Sequence, residues 1–344
     1  MARILITSTQ YPYYGGAATN SYALIKYLRS FGHMVAGVFF ESSRVNVDPD
    51  KIGGVWKFDP GKDKKSILNR LITRQLGGLP DVIFGKNYAA PVISKELFPN
   101  VKIVYLVTGS PQMSSASENG ISAQKYLSGF NIIRFKQEEA CIRASDLVVP
   151  NSWLGKKLLI KNYGENKKFS NPIDTSLAFN NDICLGENFT DRKWDLAFIC
   201  SNLSRKVKNS ELAINIMSEK KFDMNKKIVV GKNSSIFNGI KNMECRDLSS
   251  QREVLEIMKN TKVILCTSYY DASPNTIKEA ILCGSNILMS RNCGWYESYP
   301  SEFICDDVYD KKEWINKISY LLKNKVAFNV LNKNSLIEKM KEII

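Results

Sequence analysis

The 344-residue chain is poor in the side chains on which several common chemistries depend. Its single histidine, His33, leaves multi-histidine metal chemistry without ligands. It also argues against a Ser-His-Asp hydrolase, because one ring would have to do everything. None of the eight cysteines falls within the first 140 residues and none forms Cys-x-x-Cys. A disulfide framework or zinc site is therefore not expected, and thiols inside apolar strand and helix patterns read as buried and reduced. No apolar run approaches the roughly 18–20 residues of a membrane span. The opening residues, Met1 to Thr7, carry only a three-residue apolar run and read as a first strand, not a signal peptide. The expected location is the cytoplasm. No long arginine-aromatic tract or helix-turn-helix pattern is present, so no nucleic-acid partner is expected.

What is present is ordinary for a globular protein: 44% hydrophobic and 24% charged residues, at a length that suggests two domains. Lys and Arg outnumber Asp and Glu by 48 to 34, a net charge of +14. That balance suits polyanions such as nucleotide phosphates or an anionic membrane surface, and equally describes a solvated lysine-rich exterior.

Short β-branched runs alternate with amphipathic helical patterns along nearly the whole chain, which predicts parallel sheets wound by crossover helices. In the first half the expected strands are 3–7, 34–40, 55–58, 81–85, 102–107 and 147–150, with helices over about 20–31 and 132–144. A turn-rich stretch containing Gly164, Asn171-Pro172 and Asn180-Asn181 reads as a linker. The alternation then restarts, with strands at 194–200, 227–230, 243–246, 263–267, 286–290 and 303–305. Helices are expected at 211–219, 252–259, 275–283 and 312–323, and a last one over about 335–344. The predicted fold class is α/β, with two doubly wound Rossmann-like parallel-sheet domains facing a central cleft. Their expected bounds are 1–170 and 191–325, joined by a linker at 171–190 and followed by a C-terminal segment, 326–344, that packs back on the first domain.

The most informative segment runs from Ser268 to Gly284. A buried strand ends, a loop follows, and a helix opens near Pro274 and Asn275. Proline suits a first helical turn, where its missing N–H has no partner to lose. The amides of Ser273, Asn275 and Thr276 are then free for hydroxyls or phosphate oxygens. Asp271 and Glu279, with seven residues between them, can each accept two hydroxyl hydrogen bonds. Alternatively, Asp271 caps the helix and Glu279 is a solvated surface residue.

This segment resembles the Glu-x7-Glu signature of retaining GT-B glycosyltransferases, the GT4-like family also called glycosyl transferases group 1. The likeness includes Pro274-Asn275, Glu279-Ala280 and Cys283-Gly284; Asp271 stands where the family usually has glutamate, and Ala272 where glycine is common. The resemblance implies that Glu279 binds the ribose hydroxyls. It also implies that Asp271, with Ser273, Pro274, Asn275 and Thr276, holds the donor sugar.

Other landmarks follow the family's order. Two glycines at a strand-to-helix turn, Gly15 and Gly16, either simply turn the chain or let a ligand approach the backbone; in position they resemble the family's glycine loop, which closes over the donor diphosphate and the acceptor. Asn20 closes that run and falls on the acceptor side. Phe31-Gly32-His33 resembles the family's entry to the second strand, which gives the histidine a structural place. The stretch from Ser201 to Asn209 corresponds to the family's arginine-and-lysine pair, with Lys208 and Arg205 neutralising the leaving diphosphate; solvated charge is the other reading. Arg246 stands at the loop after a middle strand, whose backbone in the family borders the nucleotide base. Many relatives place a histidine after the strand 102–107, where this chain has Thr108, Gly109 and Ser110, assigned to the acceptor and sugar pocket.

The resemblance therefore implies transfer of a sugar from a nucleoside diphosphate sugar to a glycan or lipid-linked acceptor. No cofactor is expected and no metal is required. A non-catalytic GT-B binding protein and a nucleotide-sugar 2-epimerase are the alternatives. The basic surface would also suit peripheral contact with an anionic membrane.

Overall fold

The computed structural model describes residues 1–9, 15–40, 53–59, 61, 63–129, 135–175, 186, 188–247, 250–328 and 334–344. The chain divides into two compact units. One comprises Met1–Pro111, Ile132–Phe179 and Asn332–Ile344, the other Gln112–Asn131 and Asn180–Leu331.

The first unit is built on β1 (Arg3–Ser8), β2 (Met34–Phe40), β3 (Val55–Phe58), β4 (Val82–Lys86), β5 (Lys102–Val107) and β6 (Leu147–Pro150). These pair in the order β3-β2-β1-β4-β5-β6, every pair parallel. The second unit contains β7 (Trp194–Asn202), β8 (Lys227–Lys232), β9 (Met243–Arg246), β10 (Thr261–Cys266), β11 (Asn286–Ser290) and β12 (Ile304–Cys305). Their order is β12-β11-β10-β7-β8-β9, again all parallel. Counted from each unit's own first strand, the two sheets have the same doubly wound order, although the chain carries no sequence repeat. Helices on the faces of parallel sheets bury the strands on both sides, which is why the strands read as continuous apolar runs. Ile4, Leu5 and Ile6 of β1 and Val263, Ile264 and Leu265 of β10 are all buried.

The expected strands are present with bounds that match or shift by one or two residues, and the helices of the first unit depart further. The helix expected from Asn20 spans Gly15–Ser30, so Gly15 and Gly16 lie in its first turn. The first N–H groups of a helix need no intrahelical partner, and the following alanines carry the helix forward. The helix expected over 132–144 is Lys136–Ala144, with Phe135 extended before it; 132–134 lie outside the described residues. The linker's Asn180-Asn181-Asp182 also lies outside them.

Lys65–Leu76, Ala90–Leu97 and Trp153–Tyr163 have no counterpart among the expected elements, nor do two seven-residue helices, Pro111–Ser117 and Ala123–Gly129. Expected bounds placed all of 1–170 together, yet residues 112–131 pack with the second unit. The Ala123 amide donates to the Tyr269 carbonyl at 2.9 Å and the Gln124 amide to Asn292 Oδ1 at 2.9 Å. The last helix, Asn334–Ile343, belongs to the first unit, where the Ile343 carbonyl accepts from Lys102 Nζ at 2.5 Å. His33 is structural: its Nδ1 accepts from the Ala2 amide at 3.3 Å, and burial pushes its pKa down.

The pairing of β7 with β8 shifts register between Ile199 and Asn202, where the chain turns out toward residues 203–209. Gly231 permits this. It has φ +149°, and a Cβ there would lie 1.9 Å from the Cys200 carbonyl oxygen. Replacing Gly231 with alanine should therefore lower stability by about 2 kcal/mol or more. Urea unfolding of Gly231→Ala checks this, and an unchanged midpoint would contradict it.

Candidate functional site

In the second unit, the chain leaving β10 is stitched to the turn after β7. The Thr267 hydroxyl lies 2.9 Å from the Lys208 carbonyl and 3.0 Å from that of Asn209. The Tyr269 amide donates to the Val207 carbonyl at 2.9 Å. Lys206–Lys208 forms one 3-10 turn, closed by Asn209 in the left-handed conformation (φ 51°). Asn209 then caps the helix Ser210–Met217, its side chain accepting from the Leu212 amide at 3.4 Å. Lys208 thus stands on a backbone fixed from both sides.

Its ammonium meets Asp271, Nζ to Oδ2 at 2.8 Å, with each side chain 21% exposed. Burial alone would lower the Lys208 pKa, but the Asp271 carboxylate outweighs it and holds the ammonium well above its ordinary value. Asp271 is itself anchored: its amide donates to the Asn292 carbonyl at 3.1 Å, and its carbonyl accepts from the Gly294 amide at 2.8 Å. Its second carboxylate oxygen, Oδ1, accepts from the Ser273 amide at 3.3 Å. Asp271 is therefore not the helix cap. Pro274 occupies that position with no side-chain cap, so the first turn of Asn275–Leu282 begins without a capping acceptor. Cys283 and Gly284 close the helix, with Gly284 at φ 76°.

Glu279 lies on this helix, partly buried rather than solvated. Its Oε1 accepts from Gln251 Nε2 at 2.8 Å. Burial pushes its pKa up to about 6, against the opposing hydrogen bond from Gln251 and the charge of Lys278. Lys278 was not singled out by its sequence position. It is buried and donates to the Ser273 hydroxyl, at the amino end of the helix. Its spacing from Ile281 puts it on the flank of the apolar stripe, the one signal in the sequence that it would be enclosed.

Other expected residues are engaged elsewhere. The Arg205 guanidinium is bound to Glu118, Nη2 to Oε1 at 2.7 Å and Nε to the same oxygen at 3.0 Å. Arg246 is paired with Glu244, Nε to Oε1 at 2.7 Å, and its guanidinium lies 5.6 Å from the ring of Trp194, the first residue of β7. It points back along the sheet, away from the carboxyl end where Lys208, Asp271 and the helix start converge. Glu244 and Arg246 are two apart on one strand and so share a face, a pairing the sequence did offer.

In the first unit, Gly15 and Gly16 open the helix after β1, and Asn20 is half-buried on it. Thr108, Gly109 and Ser110 follow β5. The Thr108 hydroxyl donates to Asn87 Oδ1 at 2.7 Å, and its carbonyl accepts from Asn151 Nδ2 at 3.0 Å. Ser110 is buried, its hydroxyl accepting from Asn162 Nδ2 at 3.4 Å.

No protein-family model matches the chain, and no curated protein matches it in sequence. Solved structures do. HepE of Anabaena, solved with UDP and glucose, superposes with a TM-score of 0.66 at 15% identity, over 99% of this chain and 100% of that one. The chain has the GT-B fold. A glycosyltransferase of Rickettsia africae matches with TM-score 0.65 at 14% identity, covering 99% and 97% of the two chains. The lipopolysaccharide outer core galactosyltransferase WaaB, in its apo form, matches with TM-score 0.64 at 12% identity, covering 95% and 92%. In this GT-B chain no described helix is long and apolar enough to cross a membrane.

The Glu279 shift has a measurable consequence. With its folded pKa raised from 4.5 to about 6, the folded state holds the proton more tightly than the unfolded state. The associated stability is full below pH 4.5 and is lost as pH rises through about 6, a change of roughly 2 kcal/mol at most. Glu279→Gln should flatten that part of the stability–pH curve. Superimposable curves for the two proteins would count against the buried carboxyl.

Proposed function

We propose that this protein is a retaining glycosyltransferase that moves a sugar from a nucleoside diphosphate sugar to the hydroxyl of a glycan or lipid-linked acceptor. One observation carries the reading: the fixed Lys208–Asp271 pair beside a helix start without a side-chain cap, with the partly buried Glu279 on the same helix. The fold likeness supports it, since one of the similar structures holds UDP and glucose and the others are named as glycosyltransferases.

In this reading the bond from the sugar's anomeric carbon to the diphosphate oxygen breaks, and a bond to the acceptor oxygen forms on the same face. The acceptor's proton passes to the departing phosphate, so no enzyme nucleophile is needed. Negative charge grows on the leaving diphosphate, and a cation already in position stabilises it without solvent rearrangement. Lys208 is that cation. An ammonium has three hydrogens, and the bond to Asp271 leaves two for phosphate oxygens. Asp271 keeps Lys208 charged and aimed, a positioning role in addition to the sugar contact implied by the resemblance. The Ser273 amide, expected to meet the ligand, is instead given to Asp271 and holds the loop; Asn275 and Thr276 offer amides to the donor, with Pro274 setting the turn, and Glu279 takes the ribose hydroxyls. Arg205 and Arg246, bound to Glu118 and Glu244, are left out of the donor site. Gly15 and Gly16 are assigned to the loop that closes over the donor diphosphate and the acceptor, and Asn20, Thr108, Gly109 and Ser110 to the acceptor. The net charge of +14 suits a cytoplasmic enzyme docking on an anionic membrane that carries a lipid-linked acceptor.

The test is thermal unfolding with UDP, GDP, ADP, dTDP and their sugar conjugates. A ligand at about 100 times its dissociation constant adds about 2.7 kcal/mol, so one base should raise Tm by several degrees and lose that effect in Glu279→Ala. With the donor identified, Lys208→Ala should raise the barrier to transfer by about 2–4 kcal/mol. No shift with any nucleotide would turn the reading toward a non-catalytic binding protein.

A further inference from the structure

Lys86 ends β4 and is fully buried, with a relative exposure of 0%. Among the described residues its ammonium nitrogen has no hydrogen-bond partner. The other buried lysines do: Lys227 donates to the Lys241 carbonyl at 2.7 Å and Lys278 to Ser273. Enclosing an amine with no acceptor costs free energy and gains the fold nothing that an apolar side chain would not supply better. Burial alone pulls its pKa down to about 7, and no neighbouring charge opposes that pull.

Its place in the sheet is particular. Lys86 pairs with Ser8, the last residue of β1, and β1 and β4 are the strands from which the sheet order runs in opposite directions. Open α/β sheets bind ligands at that switch point, beyond the carboxyl ends of the strands. Gly85 faces the helix Ala90–Leu97, since a Cβ there would lie 3.0 Å from Pro91. By strand alternation Lys86 points to the other face. That face carries the crossover helix Gly15–Ser30, because successive crossovers leave a doubly wound sheet on opposite sides where its order reverses. The helix begins seven residues after β1 ends, so its amino end and the Lys86 ammonium share one face and one end of the sheet. An orphaned cation beside a helix amino terminus is an arrangement that anions complete. Polar groups cluster at the same end: Asn87 Nδ2 donates to Ser8 Oγ at 3.2 Å, and Thr108 donates to Asn87.

We propose that Lys86 marks an anion site at the switch point of the first sheet, and that the acceptor carries the phosphate or carboxylate group that fills it. The site itself is independent of the glycosyltransferase reading; only the assignment of its ligand to the acceptor rests on that reading. The four-carbon lysine stem lets the ammonium turn outward to meet the ligand.

Thermal unfolding in sodium phosphate, sodium acetate and sodium chloride at equal ionic strength tests the proposal in wild type, Lys86→Met, Lys86→Arg and Lys208→Ala. Phosphate stabilises folded proteins in general, so the quantity read is the difference between variants. Wild type, Lys208→Ala and Lys86→Arg should gain several degrees in one of the two anions over chloride, and Lys86→Met should gain only the general salt effect. A gain confined to phosphate points to a phosphorylated acceptor, and one confined to acetate to a carboxylated one. Lys86→Met should melt in chloride no lower than wild type, because it removes a buried group without a partner. An equal anion response in Lys86→Met, or none beyond the salt effect in wild type, overturns the proposal. Loss of the response in Lys208→Ala alone would move the anion to the donor site and overturn it as well. If Lys86→Met does not fold, Lys86→Gln takes its place. Nucleotide shifts are read separately, so their absence alongside an intact Lys86-dependent response would fault the glycosyltransferase reading and leave the anion site standing.

Discussion

The second unit depends on a single electrostatic constraint: Lys208 and Asp271 are charged groups removed from most of their water and held against each other at 2.8 Å. Neither could be enclosed alone without losing its charge or destabilising the fold. The surrounding hydrogen bonds follow from this need. Thr267 and Tyr269 bind the lysine's turn, and Asn292 and Gly294 bind the backbone of the aspartate. A pair anchored this firmly does not have to reorganise when a negatively charged ligand arrives, which is the property that makes a fixed cation more useful than solvent.

The expected strands were legible because a parallel sheet covered on both faces leaves a plain signature, continuous apolar runs such as those of β5 and β10. The helix at 275–282 was legible for a different reason, its proline at the start and its glycine after the end. The short helices Pro111–Ser117 and Ala123–Gly129 left no such trace. Both are two turns long and lack an apolar period, and Ala123–Gly129 takes its place from bonds to Tyr269 and Asn292, which lie more than a hundred residues further along the chain. Local sequence does not encode partners at that distance.

For the candidate site, position along the chain was a better guide than direction in space. Lys208, Asp271 and the amides after it converge at one end of the sheet, and Glu279 lies on the helix that starts there. Arg205 and Arg246 stand at the expected positions in the sequence, yet their guanidinium groups turn to Glu118 and Glu244. A long flexible side chain can face either way from one backbone position, and only the carboxylates around it decide. Lys278 and Lys86 illustrate the converse. Both are buried cations, and a pattern of apolar residues says little about which charged residue will be enclosed among them.

The assignment of residues 112–131 to the second unit and 332–344 to the first means that the backbone passes between the units four times. Neither unit corresponds to a continuous stretch of the gene. As the chain emerges from the ribosome, the helix Asn334–Ile343 of the first unit follows only after the whole second unit, and the second unit must accept a segment made long before its own sheet. The first sheet therefore has all its strands by Pro150, yet its unit waits for that helix while the second unit is made. Until the helix arrives, Lys102 at the start of β5 has yet to meet its acceptor, the Ile343 carbonyl.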